Sequence, residues 1–128
     1  MSNRAILRLR LEGDSDSILK LLNCKGFEPT KRWKAGQRKL PRRTYEFDGV
    51  EYERNYAEEN LPEAGKLIED FLKSEPFADY RPEDFKWNRS LLSLIYDLDS
   101  RPCLYFEDRV IALIRRYSVD FDIDFCAL

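Results

Sequence analysis

Two segments, one near each end of the chain, alternate between apolar and charged residues, which is the pattern of a β-strand with one buried face. In the first, residues 4–12, the apolar positions Leu7, Leu9 and Leu11 fall on one face. In the second, residues 119–125, aspartates occupy every second position. Both segments are therefore predicted to be strands that bury one face and expose the other.

The charged faces of these two predicted strands have opposite signs. Arg8 and Arg10 lie on the first strand, and Asp120, Asp122 and Asp124 lie on the last strand with the same spacing. Opposite charges that face each other across neighbouring strands stabilise a sheet, whereas like charges repel. We therefore expect these two strands to be neighbours, with their charges paired across the exposed face.

Apolar residues at helical spacing predict three helices. The first spans residues 14–23 and begins at a capping Asp14 or Ser15. The second begins near Asn60, with Glu63 three residues later, and ends near Lys73 or Ser74. The third follows Glu107 and Asp108. The positions expected on their buried faces are, in turn, Ile18, Leu19 and Leu22; Leu61, Gly65, Ile68, Phe71 and Leu72; and Val110, Ile111, Ile114 and Tyr117.

Shorter patterns complete the predicted order of elements. Residues 44–56 are predicted to form a hairpin, because Asp48-Gly49 between two alternating runs favours a tight turn. Residues 90–98 are apolar enough for a strand that is buried on both faces, and residues 103–106 are predicted to form another short strand. The aromatic connection 74–88 is expected to lie against the core.

The resulting order, β-α-ββ-α-β-β-α-β, is typical of an α+β fold with a largely antiparallel sheet and about three helices packed on one face. The 128 residues suit a single domain spanning 1–128. With 43% hydrophobic residues, the chain can bury a core of its own.

The composition excludes several classes of chemistry. The chain has no histidine, which excludes Ser-His-Asp and Cys-His catalysis as well as histidine-ligated zinc. Its three cysteines, Cys24, Cys103 and Cys126, form no CxxC pair, so that a structural zinc site is not expected. Their odd number and the lack of a signal peptide indicate the reducing cytoplasm. No apolar run approaches the about 20 residues that cross a bilayer, so we expect no membrane partner.

Charge is divided unevenly along the chain. Residues 1–45 contain 12 Lys/Arg and 4 Asp/Glu, a net charge of +8, whereas residues 46–128 contain 10 and 20, a net charge of −10; the two sum to the overall −2. Such a division indicates either a charged partner for one half or two halves that complement each other within the fold.

A basic segment between residues 31 and 43 is one candidate site. Basic residues around an aromatic ring can hold phosphates and stack a base. The alternative is a solvated loop that its tryptophan anchors to the core. The candidate nucleic-acid-binding residues are Lys31, Arg32, Trp33, Lys34, Arg38, Lys39, Arg42 and Arg43.

An acidic segment that follows is the second candidate site. Carboxylates at this density can mimic phosphates and enter the basic cleft of a nuclease, with neighbouring tyrosines as anchors. They can also form a solvated face, and no motif fixes their spacing for metal binding or for acid–base catalysis. The candidate partner-binding residues are Glu51, Tyr52, Glu53, Tyr56, Glu58 and Glu59. No catalytic residue, metal site or cofactor is predicted.

A few positions carry a resemblance to a known family. They are the opening alternating strand, a short helix that leads to Phe27-Glu28-Pro29-Thr30, the motif Trp33-x-x-Gly36, and a final helix and strand ending in residues 119–125. In these the chain resembles a family of small bacterial domains of unknown function, some of them encoded beside toxin genes and proposed as immunity proteins. The tyrosine-rich middle departs from that pattern. The resemblance implies an α+β fold and a protein partner, and it implies no catalytic residue.

These observations lead to one functional hypothesis and two alternatives. We expect a non-enzymatic cytoplasmic interaction protein, namely a bacterial immunity protein that binds and neutralises a cognate protein toxin, with nucleases as one candidate class of toxin. The first alternative is a nucleic-acid or nucleotide binder that works through the basic segment. A carboxylate-dependent enzyme ranks last. The protein itself is expected to be a monomer or a dimer.

Overall fold

A computed structural model describes residues 3–24, 28–41, 43–58, 63–74, 77, 81–97, 104–117 and 120–126 of the chain. These residues form seven strands and three α-helices, with a short 3-10 turn at Pro82–Asp84. In chain order they are β1 (Asn3–Gly13), α1 (Ser15–Leu22), β2 (Lys31–Trp33), β3 (Arg38–Leu40), β4 (Arg43–Thr44), β5 (Asp48–Glu58), α2 (Ala64–Lys73), β6 (Arg89–Asp97), α3 (Asp108–Tyr117) and β7 (Asp120–Cys126).

Five of the strands form one sheet in the order β2-β5-β1-β6-β7. The central strand β1 pairs antiparallel with β5 on one side and with β6 on the other. β7 runs parallel to β6, which is possible because α3 provides the crossover between them. β3 and β4 form a separate two-stranded ribbon. The predicted α+β class, with a mostly antiparallel sheet and three helices, is confirmed.

The core lies on one face of the sheet, which we call the inner face. Leu7, Leu9 and Leu11 of β1 are each at most 1% exposed there, as the alternation predicts. The helices contribute the opposing apolar residues, and these pack with the inner-face residues of β1, β5 and β6 into one cluster. The helix residues in the cluster are Ile18 and Leu21; Ala64, Leu67, Ile68, Phe71 and Leu72; and Val110, Ile114 and Tyr117.

The helices differ from the prediction in two details. In α1, Asp14 caps the first turn by accepting a hydrogen bond from the Ser17 amide at 2.7 Å, but the buried residue is Leu21 rather than Leu19, which is 51% exposed. In α3, Ile111 is exposed as well. Helix α2 ends at Lys73 as predicted. Its predicted start at Asn60, with Leu61, lies outside the described residues.

The predicted hairpin at residues 44–56 is wrong, because Asp48-Gly49 is not a turn between two strands but the beginning of β5, a single strand of 11 residues. Gly49 pairs with Trp33 of β2, and the indole lies directly on it. A Cβ atom at position 49 would lie 2.2 Å from the indole carbon Cε2. The glycine therefore makes room for a side chain from a neighbouring strand instead of making a turn.

The expected pairing of the first and last strands is also wrong, because β6 lies between them. Both edges of β1 are already occupied by long antiparallel partners, so no edge remains for β7. Two strand spacings of about 4.8 Å separate β1 from β7. β6 is buried on the inner face, whereas on its other face Ser93 is buried and Leu91 and Ile95 are partly exposed. Residues 104–106 of the predicted strand at 103–106 have no strand pairing.

Asp48 connects three parts of the fold at the start of β5. Its carboxylate accepts a hydrogen bond from the backbone amide of Ala35 at 2.8 Å and another from the Ser15 hydroxyl at 2.6 Å. These two bonds, of which the one from the amide has the larger effect, hold the pKa of Asp48 below its usual value. The ionised form thus links the loop before β3 to the first turn of α1.

The contact between Gly49 and Trp33 predicts that Gly49→Ala destabilises the protein by about 1–3 kcal/mol, the usual cost of overpacking. Gly65 in α2 provides a matched control, because a Cβ atom there would find its nearest neighbour at an ordinary 3.5 Å. Alanine is favoured over glycine in a helix, so Gly65→Ala should be neutral or stabilising by up to about 1 kcal/mol. Urea denaturation measures both, and equal stabilities for Gly49→Ala and the wild type would contradict the assignment.

The lowered pKa of Asp48 predicts a contribution to stability that depends on pH. Because the pKa is lower in the folded state, this contribution is complete above the unfolded value of about 3.9 and disappears as the pH falls through the folded value. The difference in melting temperature between the wild type and Asp48→Asn should therefore be largest near neutral pH and shrink below about pH 4. Asp124→Asn, at a residue whose carboxylate accepts no hydrogen bond in the described structure, should show no comparable loss.

Candidate functional site

The face of the sheet opposite the core, which we call the open face, bears no helix among the residues that the structure describes. Alternate residues of the five strands reach this face, so the strand registers arrange their side chains in cross-strand rows. One row contains Lys31, Glu51, Arg10, Leu91 and Asp120, and the next contains Glu53, Arg8, Ser93 and Asp122. The signs of the charges therefore alternate from β2 to β1, and the neutral residues of β6 separate the β1 cations from the β7 aspartates.

The predicted partner-binding acids Glu51 and Glu53 lie on the open face, but both are engaged by Arg8. The Arg8 guanidinium is 2.8 Å from a Glu53 carboxylate oxygen and 3.6 Å from a Glu51 oxygen. Both carboxylates are held at the surface of the sheet, where 14% of the Glu51 side chain and 21% of the Glu53 side chain are exposed. The partners that we had expected for Arg8 on β7 are thus provided by β5.

The predicted anchors Tyr52 and Tyr56 do not accompany these acids, because residues next to each other in a strand point to opposite faces. Tyr52 packs on the inner face, with its ring centre 5.1 Å from that of Phe77 and 5.8 Å from that of Phe71. Tyr56 is half-buried against the same core, and this burial raises the pKa of its phenol. The expectation that these tyrosines stand beside the acids is wrong. Glu59 and the side chain of Glu58 lie outside the described residues.

Trp33, the aromatic residue of the basic segment, is only 3% exposed. Its ring stacks on Tyr45 at a centroid distance of 4.9 Å, and the Arg10 guanidinium carbon lies 4.6 Å from its centroid. Gly49 lets the indole lie across β5 toward β1. The tryptophan thus anchors the segment, but against these three residues and not in the core cluster of the inner face, and it leaves little ring surface on which a base could stack.

The cations around Trp33 are mostly in solvent. The exposed residues of the predicted nucleic-acid-binding set are Lys31, Arg32, Lys34, Arg38 and Arg43, whereas Arg42 and the side chain of Lys39 lie outside the described residues. Lys31 stands opposite Glu51 in the register and lies 5.7 Å from the Trp33 ring centre. The segment therefore presents charge at one edge of the sheet without an accessible aromatic surface.

A polar cleft at one end of the open face surrounds a buried carboxylate. The side chain of Glu12 is 5% exposed and binds the Arg10 guanidinium at 2.9 Å. Its other oxygen lies 3.9 Å from Arg89, which binds the exposed Glu46 at 2.7 Å. Two cavities of about 260 and 220 Å³ meet at Glu12 and Arg89, and Asp120 lines the larger one. The charges of this cleft are largely paired with one another.

The open face also carries three apolar side chains among its charges. Ile6 and Ile95 face each other across β1 and β6, and Leu91 lies two positions before Ser93 on the same strand; all three apolar side chains are partly exposed. On β7, Asp120, Asp122 and Asp124 are exposed beside them. The open face therefore carries partly exposed apolar side chains among charged ones, and such a mixture occurs at protein–protein interfaces.

Sequence reasoning missed the apolar residues of this face, although a signal for them exists. Ile95 and Leu91 lie in the strand that was expected to be buried on both faces, and Ile6 is the apolar residue at the outward positions of β1. Within each strand, an apolar residue at an outward position indicates a partly exposed apolar side chain. Ile6 and Ile95 become neighbours only because β1 pairs with β6, and the local sequence does not reveal that pairing.

No family model, curated protein or solved structure matches the chain. The described residues include no group of three or more His, Cys, Asp or Glu side chains that could hold a metal ion. None of the described helices is long and apolar enough to cross a membrane.

The burial of Glu12 predicts that Glu12→Gln destabilises the protein by about 1–3 kcal/mol, because the change leaves a partly buried guanidinium with a weaker acceptor. Glu46→Gln is the matched control: this residue binds Arg89 as well but is 66% exposed. Glu46→Gln should lower the free energy of unfolding by less than about 1 kcal/mol. Chemical denaturation of both variants measures the difference, and equal effects would show that the burial of Glu12 does not matter.

Proposed function

We propose that this chain is a non-enzymatic interaction protein, specifically a bacterial immunity protein that acts in the cytoplasm by binding and neutralising a cognate protein toxin. The observation that carries the proposal is the composition of the open face, where the partly exposed Ile6, Leu91 and Ile95 are bordered by charged side chains. The choice of a toxin as the partner comes from the family resemblance in the sequence, and nucleases remain one candidate class.

The contact surface in this proposal differs from the one expected from the sequence. Arg8 holds Glu51 and Glu53 in place, so they form a paired charge cluster next to the apolar side chains and are not free phosphate mimics. Tyr52 and Tyr56 belong to the core and stabilise the sheet beneath the surface. Apolar side chains that become buried while charged neighbours stay hydrated are usual in a specific interface.

Nucleic-acid binding through the basic segment receives less support. Exposed cations such as Lys34 and Arg38 remain able to contact phosphates, but the buried Trp33 cannot contribute the stacking energy of a base. Such a protein would bind any strand through charge alone, with an affinity that falls steeply as salt rises.

The substitution Ile95→Arg tests the proposed surface. It places a charge beside Ile6 at an apolar position of the open face, so capture of a partner should fall at least about tenfold, as for a central interface residue. Ile111→Arg is the matched control, because Ile111 is an isoleucine with 37% exposure on the helix side of the molecule. The tagged wild type and both variants are expressed together with the adjacent genes, and captured proteins are identified by mass spectrometry.

Capture of one stoichiometric partner by the wild type and by Ile111→Arg, but not by Ile95→Arg, would support the proposal. Equal capture by all three proteins would overturn the assignment of the open face. Recovery of the wild type alone would contradict the partner itself and favour the nucleic-acid alternative. Melting temperatures of the variants separate loss of binding from loss of folding.

A further inference from the structure

The strand β7 forms one edge of the sheet over all seven of its residues, Asp120–Cys126. It pairs with β6 on one side, and no strand in the described part of the chain pairs with its other side. The backbone N–H and C=O groups that point to that side can therefore bind an added strand. At the opposite edge, β2 pairs with only three residues of β5, so that edge is divided between two strands.

The side chains of β7 give this edge a definite charge. Asp120, Asp122 and Asp124 are exposed on the open face, about 6.8 Å apart along the strand. Their neighbours on β6 are Leu91, Ser93 and Ile95, none of which is a cation. Among the described residues, none forms an ion pair with Asp122 or Asp124. A strand that adds to β7 would place its own outward side chains directly beside these aspartates.

Charge decides which strand fits this edge. A second copy of β7 paired antiparallel would bring aspartates opposite aspartates on the same face, and like charges directly opposite destabilise a sheet. A strand with Lys or Arg at every second position would instead place cations opposite Asp120, Asp122 and Asp124. Its remaining side chains would lie on the other face, next to the partly buried Phe121 and Ile123.

We propose that β7 is the docking edge for a strand of the toxin partner, and that this strand carries Lys or Arg at alternate positions. The inference rests on the proposed function, because it names the part of the partner that binds beside the open face. Backbone hydrogen bonds provide affinity in this mode of recognition, and the alternating side chains provide specificity. The same aspartates discourage pairing between copies of the chain.

A synthetic peptide tests the edge without the partner. The probe is the capped heptapeptide Lys-Val-Lys-Val-Lys-Val-Lys, its control is the Glu-Val equivalent, and calorimetry at low salt measures binding. The lysine peptide should bind and the glutamate peptide should not. Asp122→Asn with Asp124→Asn should weaken binding about 5- to 10-fold, as expected for two cross-strand charge pairs. The control variant, Asp16→Asn with Asp84→Asn, removes two exposed acids from outside the sheet and should leave the affinity unchanged.

Methylation of the peptide nitrogens distinguishes strand addition from simple charge attraction. In an extended strand, the N–H groups of alternate residues point to the same side, so only one of the two sets can face β7. Methylating the nitrogens of one set, either the lysines or the valines, should abolish binding, whereas methylating the other set should leave it nearly unchanged. Equal effects of the two sets, or binding that ignores Asp122 and Asp124, would overturn the proposal, as would the absence of binding.

This test can fail independently of the proposed function. If the peptide does not bind but Ile95→Arg still abolishes capture of a partner, the open face is the contact surface and β7 is not a docking edge. If the peptide binds as described but no partner is captured, the edge accepts basic strands and the toxin-binding function is wrong.

Discussion

Both edges of β1 are hydrogen-bonded along nearly their whole length, to β5 on one side and to β6 on the other, and the positions of the other elements depend on this pairing. Because strand side chains alternate, the same pairing places Leu7, Leu9 and Leu11 beneath the helices and Arg8 and Arg10 on the open face. A slip of one residue would exchange these two sets and expose the core. The register of β1 is therefore held by burial on one face and by ion pairs on the other.

The ion pairs also explain how the open face distributes its charge. β5 carries acids opposite the β1 cations: Arg8 binds Glu53 and lies near Glu51, and Arg10 binds Glu12 and lies over the ring of Trp33. β6 contributes mainly neutral residues, and the aspartates of β7 lie beyond them. The unequal halves of the sequence thus neutralise each other at the centre of the sheet, while negative charge remains at one edge and positive charge near the other.

Trp33 shows how a distant contact can override a local signal. Asp48-Gly49 has the composition of a tight turn, and nothing nearby in the sequence contradicts that interpretation. In the fold, the indole of Trp33 occupies the space where a side chain at position 49 would stand, and Asp48 is used to bind the Ala35 amide and the Ser15 hydroxyl. The glycine is thus explained by the width of a neighbouring side chain, and the chain continues as a long strand.

The sequence by itself determined the properties that depend on neighbours along the chain. Alternation identified β1 and β7 as strands, helical spacing identified the three helices, and together they predicted the α+β class, because hydrophobic periodicity follows from local backbone geometry. Only the tertiary structure decided which strands are neighbours, since strand pairing depends on the apolar surface that segments distant in the sequence bury against each other. That decision paired Arg8 with Glu51 and Glu53 instead of with the β7 aspartates, turned Tyr52 and Tyr56 toward the core, and brought Ile6 next to Ile95 on the open face.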